Sequence, residues 1–441
     1  MRMNKLLLLL MSIVSTQAIS QNVEYCGTTE LIAIRAAENP GYQHDIDKLF
    51  NQAKQLSESK GATAPLDIYQ IPVVVHIVYN TPEENISDEL VYSQIDRLNM
   101  DYRRMNPDSV DTRTEFVPVA ADAGIEFYLA GTDPDGNPTN GITRTETTRQ
   151  DFAMDLFGGG MDEMKQEATG GVAAWDTEKY LNIWVCDLMG SSPMFAVLGY
   201  AYPPSTAPNW PANSAATSPE LEGVAIHYEV FGQDNPLATG DLSVADKGRT
   251  PVHEVGHYLG LRHIWGDALF GDGCAEDDGL DDTPNASANA GQQCVFSNNT
   301  CVDSPIDHPD MIENYMDYAE EQCMNLFTQD QVGIMRSMLE TARNGLITDP
   351  VAPSSVSSIY SDNWISVHPN PNTGSFRVGY PDNVEVFKLE LTDLNGRVVY
   401  HKTSSFHSGM AIETHNVESG IYGLRVSVDG QPIQTKKVVI Q

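Results

Sequence analysis

Apolar residues along the chain change period several times, and each change marks an element. Residues 71–79 (Ile-Pro-Val-Val-Val-His-Ile-Val-Tyr), 125–129 and 180–186 are β-branched or alternating runs that predict strands, and 198–202 and 224–228 add two more. Residues 86–102 carry apolar positions three and four apart, the spacing of a helix with one buried face. A second helix is predicted from Thr250, a good N-cap, with Pro251 suited to the first helical position and Gly260 placed to turn the chain. Thr328-Gln-Asp-Gln331 is a capping-box start for a last helix that reaches about residue 343. Proline and serine then dominate residues 348–358. Beyond them, short strands at 365–368, 376–379, 384–391, 398–402, 421–428 and 436–440 alternate with turns, and Asn395-Gly396 is a hairpin signal. The pattern is that of an α+β chain: a twisted mixed sheet over a helix, followed by a small all-β sandwich.

The beginning of the chain has another character. Arg2 and Lys5 precede an apolar run at 6–14 and then Ala18-Ile-Ser20, the parts of a secretory signal, and the run is too short to span a bilayer. Residues 21–64 are polar and end in Ser57-Glu-Ser-Lys-Gly-Ala-Thr63, which reads as a prosegment. The expected division is a signal peptide at 1–20, a prosegment at 21–64, a main domain at 65–345, a linker at 346–362 and the sandwich at 363–441. With 61 acidic against 26 basic side chains, the net charge of −35 argues against a nucleic-acid partner. No later stretch is long and apolar enough for a membrane helix, so a soluble exported product is expected.

The chemistry concentrates at residues 250–263. His253 and His257 stand four apart, hence on one helical face, and Glu254 projects beside them. A turn at Gly260 returns His263 to the same point as a third ligand, leaving a fourth tetrahedral position for water, the arrangement of a catalytic zinc site. His76 and His227 fall in strand-like runs and read as packed residues. Cys274, Cys294, Cys301 and Cys323 allow three disulfide pairings in an oxidising compartment. Taken by itself, Cys26 reads as an ordinary free thiol or as a partner for Cys186.

Several longer motifs carry a family resemblance. His263-Ile-Trp-Gly-Asp267, Cys274, Asp281-Asp-Thr-Pro284, Asn314-Tyr-Met-Asp-Tyr318 and Cys323-Met-Asn-Leu-Phe-Thr328 together resemble the pappalysin family of metzincins, over about residues 71–343. The resemblance implies a secreted zinc endopeptidase acting on proteins or peptides, with Glu254 as general base and acid, Met316 in a turn beneath the metal and Tyr318 stabilising the oxyanion. It also implies disulfides Cys274–Cys301 and Cys294–Cys323. A calcium site is implied at Asp278 and Thr283 with main-chain oxygens of Asp277 and Leu280, and a Cys26-Gly27 latch over the zinc. Residues 198–202 resemble the family's upper-rim strand, an exposed edge for substrate. Relatives that prefer a basic residue after the scissile bond use an acidic side chain just before the last cysteine. Here that position is Gln322, with Glu320 and Glu321 beside it as candidates to reach the pocket, and broader cleavage is expected.

In the tail, His368-Pro-Asn-Pro-Asn-Thr-Gly374, Asp393-Leu-Asn-Gly-Arg397 and Gly420-Ile-Tyr422 resemble the C-terminal sorting domain of type IX secretion cargo, which implies export through the periplasm to the cell surface or beyond. A substrate-binding β module is the alternative for this part. For the whole chain the alternative is a catalytically silent zinc-bearing adhesin or peptide-binding surface protein, against which the intact Glu254 argues.

Overall fold

The computed structural model describes residues 23–28, 48, 50–55, 67–153, 160, 162–190, 196–203, 218–266, 274, 278–348, 366–370, 372–379, 386–392, 398–406, 410–414, 417, 419–428 and 431–440. The signal peptide, most of the linker and Asn395-Gly396 lie outside them. Two compact units form, Met1–Pro350 and Val351–Gln441.

In the first unit β1 (Val23–Cys26), β2 (Tyr69–Tyr79), β4 (Ile125–Leu129), β5 (Ile142–Glu146), β6 (Leu181–Cys186), β7 (Ala196–Ala201) and β8 (Val224–His227) make one sheet; β3 (Ala120–Ala121) lies outside it. The order is β1-β7-β8-β6-β2-β4, and β5 continues beyond β4 along the far half of β2. All pairings are parallel except β7 with β8. A central parallel strand is covered on both faces, which is why the middle of β2 and all of β6 are buried and read as continuous apolar runs. The polar β5, Ile-Thr-Arg-Thr-Glu, has no such signal and was not expected from the sequence.

Helix α1 (Asp88–Tyr102) starts at Ser87, whose side chain accepts the Leu90 N–H, and carries Asp88 and Glu89 in its first turn, where the helix dipole favours negative charge. Helix α2 (Arg249–Tyr258) is buried throughout and packs against the sheet and against α1, whose Tyr102 hydroxyl donates to the Val252 carbonyl at 3.0 Å. The strand β9 (Phe327–Thr328) pairs with β3 and leads into α3 (Gln329–Glu340), which has the expected capping box of Thr328 and Gln331. Leu346 is buried and Thr348 bonds to Gln70, so residues 346–348, assigned to the linker by composition, belong to the first unit.

The second unit is a β-sandwich. One sheet holds β10 (Ser366–His368), β11 (Ser375–Gly379) and β14 (Met410–Glu413); the other holds β12 (Val386–Thr392), β13 (Val398–Phe406), β15 (Gly420–Val428) and β16 (Gln431–Ile440). Phe376, Val378, Leu389, Leu391, Ile412, Leu424 and Val438 fill its core. The short β14 was missed in the sequence.

His76 shows how the sheet treats a buried imidazole. Its Nε2 donates to Asn182 Oδ1 at 3.0 Å and its Nδ1 accepts the Thr143 hydroxyl at 2.7 Å, so the ring is neutral; burial lowers its pKa from 6.5 to about 4. The unfolded chain therefore takes up the proton first as pH falls, and the stability this ring contributes is complete above 6.5 and lost on the way down to about 4. We expect urea unfolding of the wild type to lose about 3 kcal/mol more between pH 7 and pH 4 than that of His76→Gln; equal losses in the two proteins would contradict the assignment.

Candidate active site

Helix α2 and the turn after it bring His253, His257 and His263 together. Their Nε2 atoms form a triangle with sides of 3.0, 3.0 and 3.2 Å. His253 Nδ1 donates to the Tyr315 carbonyl at 2.7 Å and His257 Nδ1 to the Leu261 carbonyl at 2.9 Å, so each of these neutral rings turns a bare Nε2 lone pair inward. The 3.0 Å contact between the Nε2 atoms of His253 and His257 is therefore not a hydrogen bond. The spacing is close to the edge of about 3.3 Å expected when nitrogens bind one tetrahedral ion at about 2.0–2.1 Å. Burial, and then the two neighbouring imidazoles, hold His253 well below the usual histidine range, which suits a ligand that must stay unprotonated. The site therefore fits a zinc ion by its donors and by their spacing.

The start of α2 differs from expectation. The helix begins at Arg249 with Gly248 as N-cap, and Thr250 lies inside it. The orphan N–H groups are satisfied from a distance: the buried Glu321 carboxylate accepts from Thr250 N at 2.5 Å, Thr250 Oγ1 at 2.8 Å and Lys247 N at 2.6 Å. Arg249 pairs with Asp101 of α1 at 3.2 Å. At the other end Arg343 Nε donates to the Tyr258 carbonyl at 2.9 Å while its Nη1 pairs with Glu222 at 2.6 Å.

Glycines set the close approaches. Gly260 has φ +90°, and a Cβ there would meet the Met338 side chain at 2.8 Å. A Cβ on Gly256 would stand 2.5 Å from Met316 Sδ, so the methionine turn sits directly against α2. That turn is fixed by Asn314, whose side chain exchanges hydrogen bonds with Gln331 of α3 at 2.9 and 3.0 Å and accepts the Met316 N–H at 2.9 Å. Trp265 stacks on His263 at 4.3 Å with the planes 11° apart, and Tyr318 meets both rings edge-on. Gly256 and Trp265 were missed as site residues, with only the motif containing Trp265 as a hint; Glu321 stood out in the sequence only as a neighbour of the specificity pocket, not as the carboxylate that caps α2.

Residues 23–28 fill the cleft. β1 runs parallel to β7, with Cys26 opposite Gly199, so the edge expected to be open is paired. Cys26 joins the three histidines in one buried cluster whose ligand atoms all lie within 4.8 Å of one another. Its Sγ is 3.4 Å from Glu254 Oε2, and Thr28 Oγ1 is 3.3 Å from the same oxygen. Burial and then Glu254 raise the Cys26 thiol well above its ordinary value, whereas a bound cation acts in the opposite sense. Tyr318 donates its hydroxyl to the Cys26 carbonyl at 3.2 Å. Cys186 is a separate buried thiol in another apolar cluster, so the two are not partners.

The disulfides are Cys274–Cys301 and Cys294–Cys323, with Cα separations of 5.5 and 6.0 Å. Asp278 Oδ1 accepts the Thr283 hydroxyl at 2.7 Å and the Leu280 N–H at 3.1 Å, which draws these three residues together; Asp277 lies outside the described residues. Gln322 is exposed, beside Glu320, and of these three neighbours only Glu321 is buried. His227 accepts the Leu188 N–H and packs beside Glu229, away from the triangle.

Residues 166–340 match the model of the pregnancy-associated plasma protein-A peptidase family. The chain is 30% identical to an extracellular metalloprotease of Pyricularia oryzae, over 62% of this chain and 76% of that one. It also resembles the solved structure of mature mirolysin of Tannerella forsythia in complex with a cleaved peptide, at 44% identity over 64% of this chain and 97% of that one, with a TM-score of 0.55. The chain belongs to the pappalysin family. It is a secreted zinc metalloendopeptidase. A promirolysin mutant from the same organism matches at 41% identity over 74% of this chain and all of that one, with a TM-score of 0.61. Residues 366–441 match a secretion-system C-terminal sorting domain, which places the peptidase outside the cell or on its surface. Among the described residues no helix is long and apolar enough to cross a membrane.

The contact between Gly256 and Met316 yields a test. Gly256→Ala must push the methionine turn off α2, an overpacking of about 1–3 kcal/mol, and the shift reaches His253 through the Tyr315 carbonyl. We expect a folded but less stable protein with weakened zinc retention, read by thermal unfolding and by metal content after dialysis against a mild chelator; unchanged retention would show that the turn does not set the ligands.

Proposed function

We propose that His253, His257 and His263 hold the catalytic zinc and that Glu254 is the proton carrier of peptide hydrolysis. The observation that carries this reading is the triangle of Nε2 atoms with Glu254 on the adjoining turn of the same helix. Bound there, zinc supplies the Lewis acidity that activates water and polarises a peptide carbonyl. Glu254 takes a proton from the attacking water and delivers it to the leaving amine. Tyr318 donates a hydrogen bond to the oxygen that gains charge; in support, its hydroxyl already donates to a main-chain carbonyl, that of Cys26. Met316 does no proton chemistry and serves as a floor beneath the ligands, as Gly260 serves the turn to His263.

Residues 21–64 are the prosegment, with Cys26 as a latch in the fourth donor position. Support comes from the burial of its thiol within the cluster and from the pairing of β1 along β7. Once this segment is gone, the edge of β7 receives an extended peptide by main-chain hydrogen bonds, which tolerates varied sequences and agrees with the absence of an acidic residue at Gln322. Asp278, Leu280 and Thr283, with Asp277, form a structural calcium site; support is the buried, oxygen-rich grouping of Asp278, Leu280 and Thr283. The sandwich is the address read by a type IX secretion machinery, after export directed by residues 1–20.

Two outcomes test the roles. Glu254→Ala should retain about one zinc per chain while kcat on a peptide library falls by about 10²- to 10⁴-fold; near-normal turnover would remove Glu254 from the mechanism. Cys26→Ser in the full-length chain should raise peptide cleavage before any processing, followed as a fluorogenic rate alongside the intact mass. If unprocessed Cys26→Ser is as silent as the wild type, the thiol is not the latch.

A further inference from the structure

The Tyr25 side chain occupies a pocket beside the histidine triangle. Its ring lies 5.8 Å from that of His253 and 5.2 Å from that of Tyr318, it is fully buried, and its hydroxyl donates to Glu321 Oε1 at 3.0 Å. Glu321 is not held there by Tyr25 alone. The start of α2 and the Lys247 N–H fix the carboxylate whether or not the pocket is filled. What remains when residues 23–28 leave is a slot walled by aromatic and imidazole rings, with a preset hydrogen-bond acceptor at its end, next to the metal-ligand cluster.

We propose that this slot is a substrate side-chain pocket and that Glu321 is its specificity residue, favouring a phenol over a plain phenyl ring. The proposal rests on the peptidase reading given above. A peptide paired with β7 in place of β1 lays its side chains along the same cleft, and the one beside the zinc site enters the slot. Tyrosine fills the slot and completes the carboxylate's hydrogen bonding. Phenylalanine fills the volume but leaves Glu321 Oε1 with only its two Thr250 donors, and the discrimination comes from the phenol hydrogen bond lost in a desolvated site.

The test uses the full-length protein after its activating cleavage and two sets of peptides. Substrates differ at one position only, Tyr, Phe or O-methyltyrosine, scanned on either side of the scissile bond; competitors are the hexapeptide of residues 23–28 with serine for Cys26 and either Tyr or Phe at position 25. The wild type should prefer Tyr to Phe and to O-methyltyrosine by about tenfold or more in kcat/KM at one position, and the Tyr hexapeptide should compete more tightly by a similar factor. Glu321→Gln should compress both ratios toward one. A merely structural role for Glu321 would lower all substrates together and leave the ratios intact, which overturns the proposal. Equal treatment of Tyr and Phe by the wild type overturns it as well, without touching the peptidase reading; that reading fails only if no library peptide is cut. Should Glu321→Gln not fold, the wild-type ratios with O-methyltyrosine and the hexapeptides decide alone.

Discussion

Three lone pairs aimed at one point repel until a cation joins them, so the protein around them must supply the geometry in advance. The agent is α2, and α2 is gripped at its ends by charge. A buried carboxylate, Glu321, stands at its N-terminus and a buried guanidinium, Arg343, at its C-terminus, each matching the sign that the helix dipole favours. Both residues lie C-terminal to the helix in sequence. Between the ends, Gly256 allows Met316 to come within contact of the helix backbone, and Tyr315 in the same turn fixes the His253 ring. Histidine orientation thus depends on α2, on the methionine turn and, through Asn314 and Gln331, on α3.

The N-terminal segment uses the same framework. β1 adds a strand to β7, Cys26 is delivered to the cluster by register with Gly199, and a Cβ at Gly199 would come within 2.8 Å of Glu254 Cγ. Farther along, Phe50 packs under Arg262 and beside Gly279, and Lys54 hydrogen-bonds to the Gly279 carbonyl, so a second contact of the N-terminal region falls on the loop proposed to hold calcium. Blocking and anchoring are separate contacts on one body.

Much of this could be read from the amino acids, and the limits have physical reasons. His253, His257 and His263 were visible because helical spacing and a glycine turn are local; β2 and β6 were visible because buried parallel strands are continuously apolar. The capping box at Thr328 was equally local and appears as expected. The N-terminus of α2 was misplaced because its cap comes from Glu321, far away in sequence, a partnership no local pattern encodes. β1 has no strand signature: four residues form a strand only because β7 offers an edge. Glu320 and Glu321 were equal candidates for the specificity pocket in the sequence, and only burial, which depends on the whole fold, distinguishes Glu321 from its neighbour.

The pairing of β1 with β7 also bears on the molecule's journey. A strand with unsatisfied N–H and C=O groups along one side is a template for any extended chain, including another copy of itself. While β1 lies there, that template is spent, and the molecule can move through crowded compartments with its adhesive border covered. On the proposed activation, loss of the segment would expose the histidine cluster and this sticky margin in a single event, so that the hazard of self-association would begin only once the proteolytic site is open.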